Sequence, residues 1–174
     1  GIYGPIRRMS WEKKSKFCKV YQDLASFANS AITCDYVGFD AALPLGYNPF
    51  PHIREATYAA TGLEVGVLEM MLIGERNFNL LKIAAAQQGY TRKDDDLPER
   101  LKIPLPHGNS ANDPIPHDVL QRAIDEYYKL RGWDEQGPID AKLKQLGMEE
   151  FIGFIKKKTT ISKHKNDEGE KIKK

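Results

Sequence analysis

A chain of 174 residues, 41% hydrophobic and 29% charged, is long enough to bury a real core and has the balance of an ordinary soluble globular protein. No run of about 18 apolar residues offers a membrane span, and no charged, apolar and small-residue leader suggests secretion. The formal charge of +2 conceals an asymmetry: from Lys156 onward eight lysines face only Asp167, Glu168 and Glu170, so the preceding residues are mildly acidic.

The expected organisation is one α-helical domain over residues 1–155 and a Lys-rich, flexible tail over 156–174. That tail has no aromatic residue to stack on bases and no apolar face, so neither nucleic-acid nor membrane binding is expected of it. Cys18 and Cys34 are too few for a disulfide framework and lack metal-finger spacing, which points to a reducing, cytoplasmic compartment.

Along the chain, Ser10 before Trp11-Glu12-Lys13 reads as an N-cap. Phe17, Val20, Tyr21, Leu24, Phe27 and Ala28 then recur at helical spacing, which predicts an amphipathic helix ending near Ala28 or Ser30. Ala31 to Leu43 is short and apolar, and reads as a second helix before the Pro44 to Pro51 loop. Residues His52 to Ala60 look helical, with Thr61-Gly62 as the stop. The apolar positions from Leu63 to Gln88 predict one long helix, weakened locally by Gly66 and Gly74 and ended by Gly89. Five prolines between Leu97 and Pro116 demand an extended connector.

Val119, Leu120, Ala123, Ile124, Tyr127, Tyr128 and Leu130 form the buried stripe of a helix that begins at His117-Asp118 and closes at Gly132. A short helix from Pro138 to about Leu146 follows, with the proline at a tolerated first-turn position, and Glu149 to Ile155 adds a last turn. No segment alternates as a strand. The fold class is therefore all-α: an irregular multi-helix domain with long proline-rich connectors.

Few residues point to chemistry. Cys34, in Asn29-Ser30-Ala31-Ile32-Thr33-Cys34, reads by itself as a small buried hydrophobe. As a thiolate it is a candidate iron–sulfur ligand, a role that normally takes four cysteines. Cys18 reads as packing. His52, His107, His117 and His164 are dispersed and not spaced as metal pairs. Asp94, Asp95, Asp96 and Glu99 lack the pattern of a calcium loop. With Arg92, Lys93 and Arg100 beside them, they read as a salt-bridge network that fixes the connector to helices. No phosphate loop, nucleophile elbow or zinc helix is present, so no catalytic residue is assigned.

Several blocks in order resemble one known family. They are Gln22-Asp23-Leu24-Ala25 with Asn29 to Cys34, Ala59-Ala60-Thr61-Gly62, and Gly74-Glu75-Arg76-Asn77-Phe78-Asn79-Leu80. Tyr90 to Asp95, Leu97-Pro98-Glu99-Arg100 and Glu126 to Asp134 complete the set. Over about Trp11 to Ile152 the sequence resembles the third, C-terminal domain of tungsten-containing aldehyde:ferredoxin oxidoreductases.

The resemblance implies a fragment or subunit of an enzyme that oxidises an aldehyde to a carboxylic acid at tungsten (or molybdenum) held by two pterins, with electrons leaving through a [4Fe–4S] cluster to ferredoxin. It implies an N-terminal and a middle domain as partners, no cofactor and no activity on this chain alone, and self-association of the isolated chain. By position, Cys34 matches the fourth cluster ligand. In the family's pterin-facing motif, Asp-x-x-Gly-Leu-Cys, the aspartate position is Asn29, the glycine Ile32 and the leucine Thr33. Asparagine donates as well as accepts, and isoleucine in place of glycine implies loss of an easy positive φ. Those departures leave a second reading open, a divergent helical scaffold or assembly domain without cofactor contact.

Overall fold

The computed structural model of the protein describes residues 10–34, 50–108, 111 and 114–155. Over these residues it is helical: α1 (Lys14–Ser30), α2 (Phe50–Thr61), α3 (Val67–Gln87), α4 (His117–Arg131) and α5 (Asp140–Gln145), with single 3-10 turns at Arg92–Asp94, Glu99–Leu101 and Glu149–Phe151. The described residues contain no strand, only isolated bridges between Leu105 and Ala111 and between Trp133 and Pro138. Of the helix expected over 31–43, residues 31–34 form a turn and the rest lies outside the described residues, as does the tail expected at 156–174.

Helix boundaries depart from the sequence reading in three places. Ser10 does accept a bond, from Glu12 N–H at 3.2 Å. The helix nevertheless begins only at Lys14, because Lys13 stands at φ 66 and its carbonyl takes the first helical bond, from Phe17 N–H at 2.9 Å. Gly66 is not inside a helix but caps α3. Its carbonyl accepts from Met70 N–H at 2.9 Å, and its own N–H donates to the Glu69 side chain at 2.7 Å, half of a capping box. Pro138 likewise precedes its helix: Ile139 is the cap of α5, and Pro138 is buried in the turn before it.

The structure divides into two compact units. In residues 18–82, Phe27 and Ala28 of α1, Ile53 of α2 and Met70 of α3 form a buried cluster, with Ala31, Val65 and Ile73 packed against it. Each large apolar side chain removed from water there contributes about 1.5–3 kcal/mol. Gly74 shows how closely α3 approaches α1, since a Cβ at this position would lie 1.8 Å from the Asp23 carbonyl oxygen. Around that contact Lys19 bridges the buried Asp23 at 2.9 Å and Glu75 at 3.1 Å. Asn77 donates to the Ser30 hydroxyl and, at 3.4 Å, to the Ser26 carbonyl.

In the other unit, the described residues 10–17 and 83–155, the core is Ile83, Leu143, Leu146 and Met148, with Phe151, Ile152 and Ile155 around it. Ser15 Oγ donates to the Ala123 carbonyl of α4 at 2.8 Å. The stripe expected on α4 is partly right: Leu120 and Tyr128 are buried, but so is Arg131, which has no exposed surface at all. Its guanidinium lies 5.3 Å from the Tyr127 ring and 5.8 Å from the Trp133 ring, and Nε donates to the Tyr127 hydroxyl at 3.0 Å. Stacking on aromatic faces is what makes a guanidinium tolerable inside a core.

The expected charge network exists with different partners. Asp94 closes a capping box with Thr91. Arg92 bonds Asp125 at 2.8 Å and Gln121 at 3.0 Å, and so ties the connector to α4. Asp95 accepts from the Tyr128 hydroxyl. Asp96 and Glu99 are matched not by Lys93 or Arg100 but by Lys102, at 2.7 and 2.8 Å. The Lys102 ammonium, and after it the Leu97 N–H, holds the Asp96 carboxyl below the usual carboxylate range, while Asp96 and then Glu99 push Lys102 up. The identity of the cation was not legible because Lys102 lies beyond the Leu97-Pro98 corner, which folds it back.

Two tests follow from this packing. Gly74→Ala forces an overlap onto backbone rather than a movable side chain, so it should lower unfolding free energy by about 1–3 kcal/mol. Urea unfolding of the full chain measures this, and an unchanged midpoint would contradict the α1–α3 contact. Burial, then the bond to Asp95, raises the Tyr128 phenol well above its ordinary value. The folded state therefore binds this proton more tightly than the unfolded one, and its contribution is complete below about pH 10 and is lost as pH rises further. Tyr128→Phe should abolish that alkaline loss and cost about 0.5–1.5 kcal/mol at neutral pH by removing the bond to Asp95, whose exposed carboxylate water can then solvate. Stability measured against pH in both proteins checks the pair of outcomes.

Candidate functional site

The end of α1 carries every residue singled out for cofactor chemistry. A helix leaves its last carbonyls without partners, and they are met here by a left-handed turn. Ile32 N–H donates to the Asn29 carbonyl at 3.1 Å and Thr33 N–H to the Ala28 carbonyl at 3.1 Å. This pair of bonds is the Schellman closure, in which the residue just past the helix adopts positive φ. That residue is Ile32, at φ 56. The expectation that isoleucine would deny this position its positive φ is therefore corrected: Ile32 adopts it.

The same two-bond pattern ends α3 at Gly89, α4 at Gly132 and α5 at Gly147, where φ is 99, 67 and 65. Three of four equivalent positions are glycine, the residue with no Cβ to clash there. At Ile32 the strain is accepted, and it is localised, because the side chain is 93% exposed and packs on little.

The closure decides where the neighbouring side chains go. Thr33 turns inward, its Oγ1 donating to the Ala28 carbonyl at 2.9 Å, so a polar group at the motif's leucine position serves the helix end. Asn29 and Cys34 are exposed. The sequence reading of Cys34 as a buried small hydrophobe is overturned, as is that of Cys18, also exposed. The structure thus brings Asn29, Ile32, Thr33 and Cys34 onto one tight turn, with three of them facing solvent.

Among the described residues no group of three or more His, Cys, Asp or Glu side chains is placed to hold a metal ion. His52, His107 and His117 are exposed and dispersed, and Asp94, Asp95, Asp96 and Glu99 are engaged as described above. None of the helices is long and apolar enough to cross a membrane, among the described residues. The turn can therefore offer one thiol to a centre whose remaining ligands come from elsewhere.

Over the described residues the chain is thus a helical fold in which one tight turn presents an exposed thiol, Cys34, beside Asn29, Ile32 and Thr33. Residues 1–148 match the family described as aldehyde ferredoxin oxidoreductase, domains 2 and 3, and the chain belongs to that family. It is 35% identical over 145 residues to a tungsten-containing aldehyde ferredoxin oxidoreductase of Pyrococcus abyssi, a stretch that covers 81% of this chain and 22% of the relative. The corresponding protein of Pyrococcus horikoshii is 34% identical over 145 residues, with the same coverage. An aliphatic sulfonate oxidoreductase, WOR-like subunit, of Pyrococcus furiosus is 28% identical over 140 residues, covering 76% of this chain and 21% of that protein. The chain spans about a fifth of the length of the curated relatives it matches.

Because Ile32 is strained and almost unpacked, Ile32→Gly should stabilise the chain by about 0.5–1 kcal/mol, the relief of left-handed strain outweighing glycine's extra freedom when unfolded. Gly89→Ala, at φ 99 with open space around the new methyl, should destabilise by about 1 kcal/mol. Thermal or urea midpoints of the two variants should move in opposite directions; movement in the same direction would contradict the shared geometry.

Proposed function

We propose that this chain is the C-terminal part of a tungsten-pterin aldehyde:ferredoxin oxidoreductase and supplies Cys34 as the fourth ligand of its [4Fe–4S] cluster. The observation that carries this reading is the exposed thiol of Cys34, four residues beyond the end of α1 and two beyond Ile32, whose positive φ makes a glycine-type turn. A thiolate is the donor such a cluster takes, and a turn closed by main-chain bonds presents it with little freedom to lose.

In the complete protein, tungsten (or molybdenum) held by two pterins would supply the two-electron oxidation of an aldehyde and water to a carboxylic acid and two protons, with the electrons passed by the cluster to ferredoxin. This chain's residues would do no bond-making themselves: Cys34 holds the cluster, and Asn29, Ile32 and Thr33 stand at the pterin-facing position. The partners are the N-terminal and middle domains, ferredoxin and the aldehyde, in a reducing, cytoplasmic setting. Alone the chain would be inactive and without cofactor. Leu63, Val67 and Leu68, exposed around the start of α3, support self-association of the isolated chain.

A second reading, a helical scaffold without cofactor contact, is favoured by Ile32, whose branched side chain stands where the family has none, and by Asn29 and Thr33 in place of aspartate and leucine. Cys34→Ala in the complete protein, purified anaerobically, separates the two. Loss of a direct ligand should weaken cluster retention at least about tenfold, the lower bound for losing a supporting residue. Iron content should fall and electron transfer to ferredoxin should stop. Iron and transfer equal to the unaltered protein would sink the ligand assignment, and absence of both tungsten and iron from the unaltered protein would establish the scaffold.

A further inference from the structure

The bonds that close the Cys34 turn all end on the helix they terminate. Ile32 N–H and Thr33 N–H donate to the Asn29 and Ala28 carbonyls, and the Thr33 hydroxyl returns to Ala28 as well. Both acceptors belong to the last turn of α1. These bonds set the shape of the turn relative to that helix end, and they hold only while the end stays wound. Helix ends open more readily than helix centres. Left-handed strain at Ile32, at φ 56, favours the same opening.

The restraint against opening comes from α3. Gly74 and Asn77, three residues apart, lie on the face of α3 that meets α1. Gly74 seats against Asp23, two turns before the end of α1 and about 10 Å back along its axis. Asn77 reaches the end itself. Its Nδ2 donates to the hydroxyl of Ser30, the last residue of α1, and at 3.4 Å to the Ser26 carbonyl. Ser30 Oγ in turn donates to the Ser26 carbonyl at 2.8 Å. The hydroxyl thus accepts from α3 and donates within α1, which fixes its direction. Unwinding the last turn would break the bond from Asn77 and release the carbonyls that hold Ile32 and Thr33.

We propose that Asn77 is a positioning residue for Cys34: its amide, acting through Ser30, keeps the end of α1 closed and so fixes where the thiol stands. The consequence for a cluster rests on the reading of Cys34 as its ligand, while the restraint on the turn does not. Groups that orient a metal ligand from behind change metal retention by about tenfold to a hundredfold when removed.

Nitroxide labels on the full chain test the restraint, since both cysteines are exposed. One label sits on Cys34 in a Cys18→Ser chain, the other on Cys18 in a Cys34→Ser chain. Asn77→Leu, which removes the donor, should narrow the EPR lines of the Cys34 label and leave those of the Cys18 label unchanged. Ser30→Ala removes the acceptor with a good helix former and should act in the same direction. The combined variant should be no more mobile than Asn77→Leu alone, because both changes break one link. Unchanged Cys34 mobility in Asn77→Leu, an equal rise at Cys18, or additive effects overturns the proposal. If Asn77→Leu folds poorly, Ser30→Ala is read in its place for the first two outcomes.

In the complete protein, purified anaerobically, Asn77→Leu should release cluster iron to a chelator about tenfold faster. It should also alter the EPR spectrum and midpoint potential of the reduced cluster, which a general loss of stability would not move. Unchanged release, spectrum and potential, with iron lost from Cys34→Ala, overturns the role of Asn77 and supports Cys34 as ligand. Iron retained in Cys34→Ala sinks the ligand reading instead, and the label mobilities alone then decide whether Asn77 holds the turn.

Discussion

The constraint on which the candidate site depends is the closure of helix ends. Each helix must find partners for its last carbonyls, and four of them here use the same two-bond left-handed turn. The turn reverses the chain sharply and fixes the direction of whatever follows. At α3, α4 and α5 it leads into connectors and core segments through glycine. At α1 it leads to Cys34 through Ile32, and it does so at a cost in backbone strain that glycine would avoid. A strained residue persists only where the rest of the turn determines its conformation. Here the determining contacts are visible: Ala31 packed against the Phe27 cluster, two main-chain bonds and the Thr33 hydroxyl on the Ala28 carbonyl.

A second kind of constraint fixes the proline-rich connector. Prolines withhold N–H donors, so such a segment cannot be held by a backbone ladder. Side chains do it instead. Arg92 reaches Gln121 and Asp125, Asp95 takes the Tyr128 hydroxyl, and Lys102 gathers Asp96 and Glu99. Exposed pairs of this sort contribute little each, so the bond between Asp95 and the buried Tyr128 matters more than the outer ion pairs. The dense block of like charges is thus spent on attachment, and none of it is left facing a common metal position.

Much of this was readable from residue order, for reasons that are local. Apolar spacing in Phe17 to Ala28 and Leu120 to Tyr128 reports a helix face directly, and Gly62, Gly89 and Gly132 mark real helix ends because positive φ selects glycine. What was not readable depends on residues distant in sequence. Gly74 looks like a weak point in a helix until α1 is laid against it. Arg131 looks like a solvated last-turn charge, yet Tyr127 and Trp133 enclose it. Ile32 is the instructive failure. Residue preference argued that the left-handed turn was lost with the glycine, but preference is a small energy, and the hydrogen bonds of the closure together with solvent exposure outweigh it.

That outcome separates the geometry of the cysteine from the chemistry around it. The bonds that aim Cys34 come from the main chain of Ala28, Asn29, Ile32 and Thr33, and main-chain bonds are indifferent to side-chain identity. The closure therefore forms with Asn29, Ile32 and Thr33 at the positions before Cys34. What changes is the surface around the thiol: an amide for a carboxylate at Asn29, a branched apolar group standing into solvent at Ile32, and a hydroxyl folded back on the helix at Thr33. Sulfur ligation asks only for the first property, a fixed and accessible thiolate. Contact with a bulky polar cofactor asks for the second, close approach and matched donors and acceptors. On the proposed reading, the sequence differences in this chain fall on the second, so ligation through Cys34 and pterin contact through its neighbours would be physically independent properties of one turn.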